Sequence, residues 1–296
     1  MSIARLPIFL AAWRGGLLAA ALVLAGCAGP HASIDTTSAA LPPAEIVEGC
    51  CRETGAYPDW ALELADANVE VMRQVGLIQL RRGYMEAVPP ARALLESALR
   101  PMDLVFFHND NRMSGHLIPG QFTHGAIYIG TEAQLKAAGL WHLPALAPYR
   151  DQIRAGRLYL EAVDGGVRLA SGDVVLNTDA VVALRPTGQD RAAALARGMA
   201  RMGVPFDMHF DATDSDHLFC AQLISEMFPG AGLPRTPVLD RETILIDGIV
   251  AGALAGDLPF ALVGYVKADA GGGAAALSAQ ELAWDIKQGW PASRAR

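Results

Sequence analysis

Leu158-Tyr159-Leu160-Glu161-Ala162-Val163-Asp164-Gly165-Gly166-Val167-Arg168-Leu169 joins two short apolar runs through an Asp-Gly dipeptide. That dipeptide marks a tight antiparallel hairpin, because its residues tolerate the left-handed backbone that matches strand twist. Toward the N-terminus, Asp103–Phe107 and His124–Gly130 read as two more strands, separated by a polar loop with Gly and Pro over 108–122. Toward the C-terminus, Val174–Leu176 and Val181–Leu184 continue the meander, and Phe260–Val266 reads as a last strand. Strands following one another through short turns predict an antiparallel sheet or small barrel. Helices are predicted over 58–82, where Leu62, Leu64, Val69, Met72 and Val75 form an apolar stripe, and over 90–100. Further helices are predicted over 189–202, stopped by Gly203, and over 216–228, with Asp214, Ser215 and Asp216 as N-cap candidates and Pro229-Gly230 as the stop. An amphipathic helix is expected near 278–287. The fold class is therefore α+β: an antiparallel sheet or small barrel packed on helices, with an N-terminal helical extension.

A chain of 296 residues, 52% hydrophobic and 19% charged, can bury a sizeable core. Its formal net charge of −7 argues against broad nucleic-acid binding, which needs a basic face. Arg5 and Arg14 flank or interrupt an apolar run that continues through Leu17, Leu18, Leu22, Val23 and Leu24, the layout of a secretory signal and too short for a comfortable membrane span. The run ends in Leu24-Ala25-Gly26-Cys27, which resembles a bacterial lipobox. The resemblance implies a lipid attached to Cys27 after removal of residues 1–26. Ala28 follows, where an Asp would signal inner-membrane retention, so an outer-membrane anchor facing the periplasm is expected. The organisation expected is a signal peptide (1–26), a lipidated Cys and tether (27–57), a helical extension (58–100), a main domain (101–267) and a C-terminal tail (268–296).

Of the remaining cysteines, Cys50 and Cys51 are adjacent and Cys220 stands alone. A ring closed by neighbouring cysteines is strained, so free or partly oxidised thiols are expected at 50 and 51. No Cys or His spacing matches a zinc site, and no metal or cofactor is expected.

Cys220 falls near the start of a predicted helix, where unsatisfied backbone N–H groups and the helix dipole favour a thiolate. Position alone leaves a buried structural cysteine equally open. A nucleophilic cysteine needs a base and a group that orients it. His124, opening a strand between Thr123 and Gly125, is the candidate base; alone it reads equally as a hydrogen-bonded strand-end histidine. Glu161 interrupts an apolar strand run, and a carboxylate there is costly to bury unless paired. The alternative places it on the solvent face. Asp207 and Asp211 are candidates for shaping the site or capping a helix. His108 and His116 lie in the loop before His124, and His209 and His217 flank the Cys220 helix.

Four segments in order resemble the YiiX-like branch of the permuted papain-like amidases, relatives of the NlpC-type cell-wall hydrolases. They are Arg100–Phe106, Phe122–Gly130, Leu160–Ala162 with Gly166-Val167, and Gly203–Asp207 with Leu218–Ile224. The resemblance spans roughly residues 100–266. It implies the permuted papain-like fold and the chain order base, acid, nucleophile, carried here by His124, Glu161 and Cys220. Met102 stands where the family has Gly, Phe206 where it has Tyr, and Ala221-Gln222 where it has Ser-Glu, so substrate contacts at those positions are in doubt. The function this implies is an envelope-anchored cysteine hydrolase cleaving an amide, ester or thioester through an acyl-enzyme, acting on cell-wall peptides or lipid acyl groups. The alternative is a non-catalytic envelope lipoprotein that binds lipid or peptide in the same groove; an acyltransferase is a third reading.

Overall fold

In the computed structural model, which describes residues 41–51 and 59–290, the predicted strands form a seven-stranded antiparallel sheet. In chain order the strands are β1 (Asp103–His108), β2 (His124–Tyr128), β3 (Arg157–Val163), β4 (Gly166–Ser171), β5 (Ala180–Pro186), β6 (Thr236–Val238), β7 (Arg241–Thr243), β8 (Phe260–Ala268) and β9 (Ala274–Leu277). The sheet order is β4-β3-β2-β1-β5-β8-β9, and β6 pairs only with β7. It is the open sheet, not the barrel, of the two forms expected.

Both faces of the sheet are covered, which explains why β1 reads as continuously apolar. Leu104 and Phe106 point into the larger core with Ile127, Leu160 and the helix Cys220–Met227. Val105 and Phe107, on the alternate positions, join Tyr159, Val181 and the helix Pro89–Ala98 in a second core. Beyond residue 268 the chain adds β9 to the sheet edge. It then forms the helix Ala279–Gly289, whose Leu282, Ala283 and Ile286 are buried in the larger core.

Several boundaries differ from the sequence reading for local reasons. The helix expected over 58–82 is two helices, Asp59–Ala67 and Val69–Gly76. Asn68 between them turns its side-chain amide back to donate to Leu64 O at 2.8 Å, a bond that competes with helix continuation. Val174–Leu176 is not a strand: Gly172–Val175 is a helical turn, an apolar triplet too short for its periodicity to decide. The last main helix begins at Cys220 rather than 216. Asp214 accepts the N–H groups of Asp216 and His217, while Leu218 N donates to Pro205 O and Asp207 N to Leu218 O, which hold 216–219 extended. Met102, standing where the resembling family has Gly, adopts φ +77°, and its side chain is fully buried. The position demands a left-handed backbone, and here a non-glycine residue supplies it at a steric cost.

The sulfurs of Cys50 and Cys51 are joined as a vicinal disulfide, in place of the free thiols expected; the turn over Val47–Cys51 brings the two neighbours together. Cys220 is a free thiol. Cys27 lies outside the described residues.

Candidate active site

The register of the hairpin places the acid. A two-residue turn at Asp164-Gly165 pairs Val163 with Gly166 and therefore Glu161 with Arg168. On the other side of β3, Glu161 pairs with Ala126 of β2. His124 lies two residues from Ala126 on the same face, so Glu161 is its diagonal cross-strand neighbour, within reach of long side chains. His124 Nε2 and Glu161 Oε2 lie 3.0 Å apart. The other carboxylate oxygen accepts from Arg168, at 3.0 Å from Nε and 2.9 Å from the terminal nitrogen. Phe107, directly opposite His124, stacks on its ring at 5.7 Å.

Glycine brings the nucleophile candidate to this corner. A Cβ at Gly125 would sit 2.8 Å from the Phe106 ring and 3.6 Å from Ile224 Cδ1. Without one, the helix Cys220–Met227 packs closely across β2, and Cys220, its first residue, arrives beside His124. The Cys220 side chain lies near enough to the His124 ring to act on its protonation, alongside Glu161. With Nε2 held by Glu161, Nδ1 is the nitrogen left for the thiol. The first turn of the helix has no side-chain cap, so its backbone N–H groups are available near Cys220.

The electrostatics follow from this chain of contacts. Burial of the His124 ring disfavours its charge, but the hydrogen bonds and negative charges of Cys220 and Glu161 win, and its pKa is pushed up from 6.5 to about 10. Burial also works against the Glu161 carboxylate. Here the hydrogen bond and charge of His124, with Arg168 behind, hold its pKa below the ordinary value. His124 keeps 22% of its side chain exposed, while Glu161 keeps 3%, so the carboxylate is sealed behind the imidazole.

Cys220 opens onto a cavity of about 250 Å³. It is lined by the helices at 59–76, through Leu62, Val69 and Met72, and by Leu117, Ile118 and Phe122. The charged side chains on it, Asp66, His209 and Arg241, are engaged with one another: Arg241 grips Asp66 at 2.6 and 2.9 Å, and His209 approaches Asp66 at 3.6 Å.

The other residues singled out from the sequence sit elsewhere. Asp207 is buried and accepts the N–H groups of His209 and Asp211, a loop-shaping role. His108 lies against Gln121 O at 2.6 Å, and His116 against Asp110 O at 3.2 Å. His217 pairs with Asp214. Among the described residues, no three or more His, Cys, Asp or Glu side chains gather to hold a metal ion. Arg168, Asp247 and the cavity wall at 59–76 were not predicted as parts of the site. Asp247 carried a signal: it is a lone carboxylate in the apolar run Ile246-Asp247-Gly248-Ile249-Val250, affordable there only with partners.

An antiparallel sheet packed on helices, with the cysteine helix following the strands, is the architecture of the permuted papain-like cysteine hydrolases. Residues 98–244 match the family described as permuted papain-like amidase enzyme, YaeF/YiiX, C92 family; this segment is a domain of that family, and the protein is a cysteine hydrolase. No curated protein and no solved structure matches the chain.

Proposed function

We propose that Cys220, His124 and Glu161 form the catalytic triad and that the bond cleaved joins an apolar acyl chain to its leaving group. The observation that carries this reading is the series of neighbours Cys220, His124 and Glu161, the last two hydrogen-bonded, beside a mainly apolar cavity. The Cys220 thiolate attacks the carbonyl carbon; a C–S bond forms and the carbonyl π electrons move to oxygen. Backbone N–H groups at the helix N-terminus help hold that oxyanion. The oxyanion collapses and expels the amine, alcohol or thiol, which takes a proton from the His124 imidazolium. Water, losing a proton to His124, then attacks the acyl-enzyme, releasing the acid and the Cys220 sulfur. Glu161 keeps the imidazole oriented, and Arg168 keeps Glu161 in place.

Of the two substrate classes expected from sequence, lipid acyl groups fit better than cell-wall peptides. A peptide brings amides and carboxylates that need partners, and the charged groups on the cavity wall are already paired with one another, leaving Arg241 Nε without a partner. We further propose that Cys27 is lipidated and holds the enzyme at the outer membrane facing the periplasm. The motif Leu24–Cys27 supports this.

The test is a series of p-nitrophenyl esters from acetyl to dodecanoyl, run beside muropeptides and with Cys220→Ala as control. Each methylene buried is worth about 0.8 kcal/mol, so kcat/KM should climb roughly two- to fourfold per methylene until the cavity is full. Met72→Trp should shorten the optimum. A flat series, with muropeptides cleaved faster, would exclude the acyl reading.

A further inference from the structure

The segment leading into His124 is clamped by a residue outside the matched region. Asp247, on the helix Ile246–Ala255, is buried, with 1% exposure. Its Oδ2 accepts from Gln121 N and from Trp290 Nε1, each at 2.6 Å, and its Oδ1 accepts from Phe122 N at 2.8 Å. Gly120 has φ +113°, and a Cβ there would lie 2.6 Å from Asp247 Oδ2, so only glycine lets the chain pass this close. Thr123 N then donates to Phe107 O at 3.1 Å. Residues 120–123 are thereby fixed before the chain enters β2 at His124.

What this rigid segment presents is Thr123. The residue is 7% exposed, and its hydroxyl oxygen is buried without a hydrogen-bond partner. It lines the cavity that Cys220 lines, next in sequence to His124, whose ring Cys220 neighbours. A buried hydroxyl left unpaired is disfavoured, and such exceptions call for a reason. A hydrogen-bond donor held stiffly beside a nucleophile is the arrangement that stabilises charge developing on a substrate oxygen. We propose that the Thr123 hydroxyl donates to the substrate carbonyl oxygen at Cys220 and to the oxyanion that forms from it, as a further catalytic residue beside the backbone N–H groups of the Cys220 helix. This rests on Cys220 being the nucleophile.

Thr123→Val keeps the shape and removes the hydroxyl; Thr123→Ser keeps the hydroxyl. With the best p-nitrophenyl ester, Thr123→Val should lower kcat on the order of 10²-fold with KM nearly unchanged, while Thr123→Ser stays within a few-fold. The melting temperature of Thr123→Val should not fall, because no intramolecular hydrogen bond is lost. A second measurement needs no turnover: reversible addition of decanal to Cys220, read as protection from iodoacetamide, should weaken in Thr123→Val and not in Thr123→Ser. The proposal is overturned if Thr123→Val keeps its rate and its decanal protection. Equal losses in both variants, or a rate lost only together with melting temperature, overturn it as well. Full activity in Cys220→Ala would instead remove the nucleophile on which it rests, so the two failures can be told apart.

Discussion

The two sides of the cleft at Cys220 are built on opposite principles. On the sheet side, His124, Glu161 and Arg168 form a row of alternating charge across β2, β3 and β4, each partner within hydrogen-bond distance of the next. On the cavity side, Leu62, Val69, Met72 and Ile118 offer contact but no hydrogen bonds, and Asp66, His209 and Arg241 are paired with one another. The charged row lies inside the segment matched to the family, whereas the helices at 59–76 lie outside it. The contrast teaches that bond breaking and substrate choice are separable here. On the proposed function, the row governs how a carbonyl is attacked, and the appended helices govern what chain that carbonyl carries.

The largest effect should come from breaking the charged side. In the proposed triad Cys220 and His124 form one proton-transfer unit, so Cys220→Ala and His124→Ala should each cost at least about three orders of magnitude in kcat, and the double variant little more than either alone. Glu161→Gln should cost less, because it orients the base and does not react. Losses that multiply in the double variant would show that the two residues work independently.

A smaller effect is expected at the seam between the two sides, where Asp247 ties down Gln121 and Phe122. Its burial pushes its pKa up to about 6, against the hydrogen bonds from those two N–H groups and Trp290, so it is still largely ionised at pH 7. Asp247→Asn replaces an oxygen that accepts two hydrogen bonds with a donor. Orphaning those N–H groups should cost about 1–3 kcal/mol, seen as a Tm lowered by roughly 2–10 °C. An unchanged Tm would mean that the segment 120–123 is held by its other contacts.

Much of the charged side was legible in sequence, and little of the apolar side was. The Asp164-Gly165 turn dictates that Glu161 faces Arg168, because a two-residue turn leaves one register. An acid inside the run Leu158–Val163 needed a partner, and His124 supplied it. The position of Cys220 at a helix start was readable to within four residues; its place as the first residue depended on Asp214, Pro205 and Asp207, which act from outside the helix pattern. The cavity was not readable, because Leu62, Val69 and Met72 form the same apolar stripe whether they face a packed core or an empty space. Asp247 was missed for a related reason: its partners are backbone N–H groups 125 and 126 residues away, and an indole 43 residues on.

The subtlest expectation concerns pH and sharpens the charged side alone. His124 titrates near 10 in the folded protein against 6.5 ordinarily, because the bonds and charges of Cys220 and Glu161 overcome the burial of its ring. A histidine whose folded value lies above its unfolded value stabilises the fold while it is protonated. That contribution is complete below about 6.5 and is lost as the pH rises through about 10. In the proposed mechanism the same proton serves the leaving group, so kcat/KM should fall along an alkaline limb near pH 10. Glu161→Gln removes one source of negative charge and keeps the side chain's shape. The alkaline limb, and the fall in stability followed by urea unfolding, should then both move to lower pH by roughly one pH unit. Cys220→Ala removes the other source and should shift the stability curve in the same direction, although it has no rate to measure. If Glu161→Gln moved neither limb, the raised histidine would owe its proton to Cys220 alone, and Glu161 would be a structural partner of Arg168.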